Sequence, residues 1–185
     1  LRVVKFEVST GSGLMANHPV FSLDGEMLER ELSFAEQHRL VVVIDIGKLG
    51  SPSSQIDALR RAVLRHPGMK FVVCHLLAPK QSELSLMAAG LEALHLPNVW
   101  FDLASLQHNV RPDEVPYPVT RAFIHKAVEI VGAERLLFGT DLPSNLCKFR
   151  YADMVNIIAE DAVLALEQRQ RILYNNALDV FWDGK

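Results

Sequence analysis

Acidic and imidazole side chains follow the apolar stretches of this sequence at four places, and such groups can bind a metal ion or transfer protons. VVVID ends in Asp45, FVVCH in His75, VWFD in Asp102 and LLFGTD in Asp141. Carboxylates and imidazoles act as general acids, general bases and ligands of divalent cations. Burying several of them along one edge without a joint purpose would be costly, so their convergence would indicate an active site.

Each of these residues also has a purely structural interpretation. Asp45 and Asp102 could cap a helix or anchor a loop by accepting backbone N–H bonds. His75 could be a hydrogen-bonded core histidine, and Asp141 could cap the turn that follows it. The sequence has no HExxH, CxxC or HxH spacing, so local spacing does not argue for zinc. It has no GxSxG motif of a serine hydrolase either.

The elements that must position these residues alternate between strands and helices. Apolar, β-rich stretches predict five strands, at residues 3–8, 40–46, 70–76, 98–104 and 135–140. Segments with helical periodicity separate them, which is typical of βα units around a parallel sheet. The carboxyl ends of parallel strands meet at one edge, where ligands bind, so the four polar residues are expected to share that edge.

Capping residues and apolar spacing predict where the helices begin and end. The first helix is expected to start at Asp24, and the next at Ser51 and Pro52. Four more are expected at about 82–95, 119–132, 150–160 and 162–182. The loop 105–118 is the longest helix-free connection after a strand, which favours an active-site loop. His108 lies in it, and is either solvated or facing a substrate.

The composition of the chain argues against several classes of function. The chain has 185 residues, 49% of them hydrophobic and 22% charged, which predicts one globular domain over 1–185. The net charge is -3 and Lys/Arg clusters are absent from the sequence, so nucleic acid is not an expected partner. No apolar run approaches the roughly 18 residues of a membrane span, so no membrane is expected as partner. The two distant cysteines suit a reducing cytoplasm. We expect a cytoplasmic protein with a small-molecule substrate, and a homo-oligomer stays open.

Two α/β architectures fit the alternation of strands and helices. A five-stranded doubly wound sheet suits the chain length, but its nucleotide-binding versions carry a GxGxxG turn after the first strand. Here that turn reads STGSGLMANHP, without the third glycine. The alternative is the (β/α)8 barrel of about 250 residues, which five strands cannot close.

Several segments resemble one family of barrel enzymes. GAERLLFGTDLP and RILYNNALDVF are similar to the last strand and the closing helix of the amidohydrolase-related family, TIM-barrel metal-dependent hydrolases and decarboxylases. VVKFEVS, VVVIDIG, KFVVCHLLAP and NVWFDLAS resemble its strands four to seven. The resemblance implies an α/β fold of the (β/α)8 TIM-barrel type, represented here by about five parallel strands with helices, strands 4–8 of an incomplete barrel.

The resemblance also implies roles for individual residues. Asp141 would contact the metal and act as base toward an attacking water. His75 would bind metal or act as acid or base on the substrate. Ser144 and Asn145 would line the substrate pocket. Asp45 stands where the family's fifth strand ordinarily ends in histidine, and becomes the third candidate metal ligand.

The expected cofactor is a divalent metal, Zn, Mn or Mg, although some members of the wider family work without one and this chain by itself could hold none. A carboxylate-rich ligand set favours Mn or Mg over Zn. Asp45 and Asp141 would repel each other in one pocket, so a metal, a protonated His75 or Lys5 must compensate, unless one acid holds a proton. Lys5, with His108, is therefore a candidate substrate-binding residue.

The family's first three strands, with their HxH metal pair, have no counterpart in this sequence. We expect a missing N-terminal segment of about 80–100 residues, the size of three βα units; completion by another chain and an open sheet are the alternatives. The predicted function is a metal-dependent hydrolase acting on a small organic acid, amide or lactone. A decarboxylase of the same family and a catalytically silent relative or interaction domain are the alternatives.

Overall fold

The computed structural model describes residues 2–182, and its five strands form one parallel sheet. They are β1 Val3–Glu7, β2 Val41–Asp45, β3 Phe71–Val73, β4 Val99–Asp102 and β5 Leu136–Leu137. Each strand pairs with the next one along the chain, in the order β1-β2-β3-β4-β5. A doubly wound sheet reverses its strand order at a switch point, whereas successive pairing is how a (β/α)8 barrel is built. The prediction of an incomplete TIM barrel with five strands is confirmed.

Helices connect the strands. They are α1 Leu14–Asn17, α2 Glu26–Gln37, α3 Ile56–Arg65, α4 Leu84–Leu94, α5 Leu106–Asn109, α6 Pro118–Val131, α7 Tyr151–Ala159, α8 Leu166–Gln170 and α9 Asn176–Phe181. A π-helical turn, Arg171–Asn175, joins α8 to α9. The expected helices are all present, but three start later than predicted. Helix α8 starts at Leu166 instead of about 162, and α5 lies within the loop 105–118, so the prediction that this loop is free of helix is wrong. Gly25 rather than Asp24 precedes α2, because the Asp24 carboxylate pairs with Arg61, and residues 51–53 form a turn before α3.

The outer face of the sheet supplies the main core. Alternate strand residues point outward and are almost fully buried: Val42, Ile44, Phe71, Val73 and Phe101. They belong to one cluster with the apolar faces of α2, α3, α4 and α6. Burying each such side chain stabilises the fold by about 1.5–3 kcal/mol. This layer fixes the curvature and position of the strands, and so the places where they end.

The inner face of the sheet is less covered. Val43 and Trp100 are half-buried there, and Lys5 is exposed. Helix α9 packs against the lower part of this face through Val180 and Phe181. Within residues 2–182, β1 pairs with β2 alone and β5 with β4 alone, so both edges of the sheet are open. The inner face is therefore a concave surface bounded by two unpaired strands.

The strands end earlier than the sequence predicts. The stretch 70–76 was expected to be one strand, but β3 stops at Val73 and the chain enters a turn with left-handed backbone. His75, Leu76, Leu77 and Ala78 have φ values of 61°, 48°, 68° and 48°.

No described helix is both long and apolar enough to cross a bilayer.

Candidate active site

The carboxyl ends of the strands surround a cavity of about 420 Å³. Three of the residues singled out in the sequence, Asp45, His75 and Asp141, line it, together with His108 from the loop after β4. They come from three different strands, and the parallel sheet brings them to one edge. The cavity is the candidate active site.

The side chain of His75 is held from both sides by oxygen atoms. Its Nε2 lies 2.9 Å from Asp45 Oδ2, and its Nδ1 lies 2.9 Å from the backbone oxygen of Ala104. A carbonyl and a carboxylate can only accept hydrogen bonds, so both ring nitrogens must donate. His75 is therefore an imidazolium in this arrangement, with Asp45 as its counter-ion.

The pKa values of this pair agree with that geometry. Burial by itself lowers the pKa of His75, but the hydrogen bond to Asp45 and the charges of Asp102 and Asp45 raise it to about 9. Burial by itself raises the pKa of Asp45, but the hydrogen bond and charge of His75, with the backbone N–H of Gly47, lower it to about 2. Each partner stabilises the charged form of the other.

Asp102 anchors the loops around His75 rather than facing the cavity. Its Oδ1 accepts the backbone N–H of His75 at 2.9 Å and that of Ala104 at 3.0 Å. Burial raises the pKa of this carboxyl group, against the effect of His75 and these hydrogen bonds. The structural interpretation of Asp102 is thus the one the contacts support. The buried thiol of Cys74 also bonds to it, and burial, then the two nearby acids, raise the thiol pKa strongly.

Asp141 is exposed at the cavity and fixed through one oxygen. Its Oδ2 accepts the hydroxyl of Ser105 at 2.6 Å, and the hydroxyl of Ser144 lies 3.3 Å away. Within residues 2–182, its Oδ1 makes no hydrogen bond to protein, so one carboxylate oxygen is available to a ligand or water. A second buried contact supports this arrangement.

That contact is made by Asn145, which is 2% exposed. Its amide nitrogen donates to Ser105 Oγ and to the backbone oxygen of Thr140, both at 2.8 Å. Asn145 thereby orients Ser105, which orients Asp141. Ser144 is exposed and donates to the backbone oxygen of Asp141 at 2.8 Å. Neither Ser144 nor Asn145 is among the residues that line the cavity; the structure shows them shaping the loop that carries Asp141, and substrate contact by either stays a prediction.

Lys5 is the middle residue of β1 and is not among the residues that line the cavity, but acidic groups near the carboxyl ends of the strands act on it electrostatically. Partial burial lowers its pKa, but Cys74, Asp45, Glu7 and Asp102 together outweigh burial and raise it. Lys5 therefore contributes a positive charge that balances this acidic region, as expected from the sequence. Its contact with a substrate stays a prediction.

The backbone is strained where it presents these side chains. His75, Ser105 and Asp141 all have positive φ, at 61°, 59° and 53°. Left-handed backbone costs roughly 1–2 kcal/mol per non-glycine residue. Such strain persists where the surrounding structure enforces it, and it clusters at functional sites. Its concentration on three residues of one cavity supports a functional interpretation of this site.

Several residues of the site escaped the sequence analysis, among them Glu7, Ser105 and Cys74. Glu7 lines the cavity, pairs in register with Asp45 and shares a side-chain hydrogen bond with it. Its i, i+2 spacing from Lys5 within a predicted strand was a usable signal, because both side chains then point to one face. Ser105 had no signal beyond following a strand, because its partner Asp141 is 36 residues away.

The donor atoms near His75 fit a divalent cation. One atom each from Asp45, Cys74 and His75 lies within 4.8 Å of the others, whereas Asp141, the third ligand expected from the sequence, does not belong to this group. The Nδ1–H of His75 donates to a backbone carbonyl, which is how a histidine that binds metal through Nε2 is usually oriented. Carboxylate, imidazole and thiolate are the ligand types of zinc. A cation there would replace the Nε2 proton, so the donor set and its second contacts are compatible with a metal.

Acids and a histidine at the carboxyl ends of a barrel-type parallel sheet are typical of TIM-barrel enzymes. The sequence model of the amidohydrolase family matches residues 10–181. The chain belongs to the amidohydrolase family, and the predicted family relationship is confirmed. No curated protein matches the chain in sequence at a significant level.

Solved structures of this family have the same fold. Two structures of an amidohydrolase from Burkholderia multivorans, one with bound HEPES and one with bound zinc, superpose with a TM-score of 0.79 at 19% identity, covering 98% of this chain and 64% of that one. A candidate 2-pyrone-4,6-dicarboxylic acid hydrolase from Pseudomonas putida gives 0.76 at 18% identity, covering 100% and 64%. A dihydroxybenzoic acid decarboxylase from Polaromonas with bound manganese gives 0.62 at 11%, covering 91% and 58%.

The chain therefore spans about 64% of the length of the first of these structures. At these identities the likeness establishes the fold, and the family contains both hydrolases and decarboxylases.

Proposed function

We propose that this protein is a metal-dependent hydrolase that cleaves an ester, lactone or amide bond of a small organic acid. The observation that carries the proposal is the arrangement of Asp45, His75 and Asp141 around one cavity, each held by a second contact. A structure used only for packing would not need three ionisable groups oriented toward one solvent-filled space.

Asp141 has the position of the general base. Its Oδ2 is held by Ser105, while Oδ1 has no protein partner within the described residues. In the proposed reaction the carboxylate takes a proton from water as the water oxygen bonds to the carbonyl carbon. The same proton then passes to the leaving oxygen or nitrogen as its bond to that carbon breaks. General acid–base catalysis of this kind contributes about 10²–10⁴-fold to a rate.

Asp45 and His75, with Cys74 as third donor, are the residues that would hold a divalent cation. When bound, the cation would polarise the carbonyl group or lower the pKa of water. Support for zinc or manganese comes from the bound metals of two structurally similar family members. The Ala104 carbonyl fixes the orientation of the His75 ring, and Asp102 holds the backbone of His75 in place.

A decarboxylase is the second candidate, favoured by the structural likeness to the manganese-containing dihydroxybenzoic acid decarboxylase. The two reactions differ in their products. Opening a lactone at neutral pH releases a proton from the new acid, whereas decarboxylation releases carbon dioxide. Both can be followed on the same protein preparation.

The test combines a substrate panel with a matched pair of variants. Lactones and esters of small organic acids are assayed by proton release, amides by release of the amine, and dihydroxybenzoates by carbon dioxide release, each with zinc or manganese. We expect hydrolysis, reduced at least about 100-fold in Asp141→Asn. Asp57→Asn, the same chemical change on an exposed residue of α3, is expected to keep full activity.

Carbon dioxide release without hydrolysis would replace the proposal by the decarboxylase. Unchanged turnover in Asp141→Asn would remove the assigned base. Metal binding is measured separately by calorimetry: zinc is expected to bind the native protein and to bind Asp45→Asn at least about 10-fold more weakly, because one charged ligand is lost.

A further inference from the structure

The entrance of the cavity carries positive charges from three separate loops. Lys48 follows β2 and lines the cavity, Arg111 follows α5, and Lys148 follows the turn beyond β5. Arg111 and Lys148 meet at one side chain: Arg111 Nη2 lies 3.3 Å from His108 Nε2, and Lys148 Nζ lies 3.3 Å from His108 Nδ1. We call Lys48, His108, Arg111 and Lys148 the entrance cluster.

All three cations of this cluster act electrostatically on His108. Among residues 2–182, none of the three forms an ion pair with a carboxylate. Other cations do form such pairs, among them Arg61, Arg65, Lys80 and Lys126. Bringing like charges together without a counter-ion costs free energy, even with solvent screening. An anion that binds at the entrance would remove this cost.

A hydrogen bond and ring contacts hold the side chains of the cluster in place. Arg111 Nε donates to the backbone oxygen of His108 at 2.9 Å, which fixes the guanidinium against the ring. Phe149 contacts the His108 ring edge-on at a centroid distance of 6.4 Å, and Tyr117 contacts Phe149 in turn. Burial, then the charges of Arg111 and Lys148, lower the pKa of His108, against the opposite effect of Asp141.

The charged groups of the cavity are thus unevenly placed. Glu7 and Asp45, which form its acidic floor, lie at the ends of β1 and β2, whereas Arg111 and Lys148 contact His108, and Asp141 is close enough to His108 to act on it electrostatically. A negatively charged substituent is repelled by the floor and attracted by the entrance, so the field orients a ligand that has one anionic end.

We propose that the entrance cluster binds a carboxylate group of the substrate and so points the scissile bond at Asp141. Arg111 and Lys148 supply charge-assisted hydrogen bonds, Lys48 supplies a third positive charge, and His108 spaces Arg111 and Lys148. The assignment of this carboxylate to a substrate rests on the proposed hydrolase function, whereas binding of a carboxylate by the cluster does not. The proposal makes the entrance cluster a determinant of specificity for organic acids.

The test measures binding without turnover. Succinate, its uncharged analogue succinamide, and inorganic phosphate are titrated into the full chain, and the ring protons of His108 are followed by NMR. His108→Gln assigns these signals. We expect saturable shifts with succinate and none with succinamide. Arg111→Met and Lys148→Met should each weaken succinate binding about 10-fold or more, which is the loss expected for one charge-assisted hydrogen bond.

Lys126→Met is the control, because it removes one positive charge on α6 outside the cavity and should leave succinate binding unchanged. Equal response to succinate and succinamide, or equal weakening by Lys126→Met, would overturn the proposal. Binding of phosphate without succinate would also overturn it, in favour of a phosphate site. If succinate binds as expected but no ester, lactone or amide is cleaved, the carboxylate site stands and the hydrolase function fails.

Discussion

His75 and Asp45 titrate as one unit, because each stabilises the charged form of the other. Their contact compensates part of the negative charge of the acidic floor. It also gives the two residues alternative states: an ion pair when Nε2 carries a proton, and a set of metal ligands when it does not. The same two side chains therefore link protonation, metal binding and the stability of the loops around them.

The first prediction at this scale concerns pH. The folded pKa of His75, about 9, lies above the ordinary value of 6.5, so its stabilisation is full below pH 6.5 and is lost as pH rises through 9. The folded pKa of Asp45, about 2, lies below 3.8, so its stabilisation is present above pH 3.8 and is lost as pH falls through 2. The pair should therefore stabilise the metal-free protein most between pH 3.8 and pH 6.5, the ordinary pKa values of the two groups.

Urea unfolding in the presence of a chelator, at a series of pH values from 5 to about 9.5, measures this effect. We expect the free energy of unfolding to fall above pH 6.5 in the native protein, and to fall much less in Asp45→Asn. His95→Gln, a change at an exposed histidine outside the cavity, should keep the native pH dependence. An identical slope in the native protein and Asp45→Asn would contradict the assigned ion pair.

The second prediction concerns the support of Asp141. Asn145→Ala removes two buried hydrogen bonds and leaves the Thr140 carbonyl and the Ser105 hydroxyl without this donor. Unfolding by urea should show a loss of about 2 kcal/mol or more. Ser144→Ala, one residue earlier but exposed, should change stability by less than about 0.5 kcal/mol. Equal losses in both variants would argue against the buried role of Asn145.

At the scale of the elements, short loops after the strands decide where side chains point. Gly47 illustrates this, because it follows β2 with a φ of +72° and packs closely against another loop. Its backbone N–H donates to Asp45 Oδ1 at 2.9 Å, which fixes the carboxylate. A glycine is required here both for the left-handed backbone and for the close approach.

Gly47→Ala is therefore expected to destabilise the protein. The added Cβ would lie 2.6 Å from Ser53 Oγ, and left-handed backbone costs an alanine roughly 1–2 kcal/mol even before the clash. Gly11→Ala is the matched control in another cavity loop, since its Cβ meets nothing within 4 Å. Thermal unfolding should show a lower Tm for Gly47→Ala than for Gly11→Ala. A similar Tm for the two variants would show that the loop after β2 adapts.

At the scale of the whole molecule, the sheet is open within residues 2–182. The inner face exposes Lys5 and leaves Val43 and Trp100 half-buried, and β1 offers an unpaired edge. Such edges favour association with other strands, and an inward-pointing charge such as Lys5 opposes it.

We expect the 185-residue chain to self-associate as its concentration rises, because of this open face and edge. Val3→Lys adds a charge beside the edge of β1 and should shift the equilibrium toward monomer. Val163→Lys adds the same charge at an exposed position outside the sheet and should have no such effect. Sedimentation velocity at several concentrations measures the difference. A chain that stays monomeric throughout would show that the edge is protected.

Apolar periodicity was sufficient to predict the strands, the helices between them and the edge of the sheet at which Asp45, His75 and Asp141 lie. This was predictable because apolar periodicity is local, and because parallel strands all end on the same side of a sheet. The resemblance of GAERLLFGTDLP and RILYNNALDVF to one family selected the barrel over the doubly wound sheet.

Which of these side chains contact each other became known from the tertiary structure alone. The contact of His75 with Asp45, the chain from Asn145 through Ser105 to Asp141, and the cations around His108 join residues about 30–40 positions apart in sequence, apart from Arg111, which follows His108 closely. Such contacts depend on where loops cross, and no local pattern encodes that. The left-handed turn at His75 likewise runs against the strand propensity of FVVCHLL, because hydrogen bonds from distant residues hold it in place.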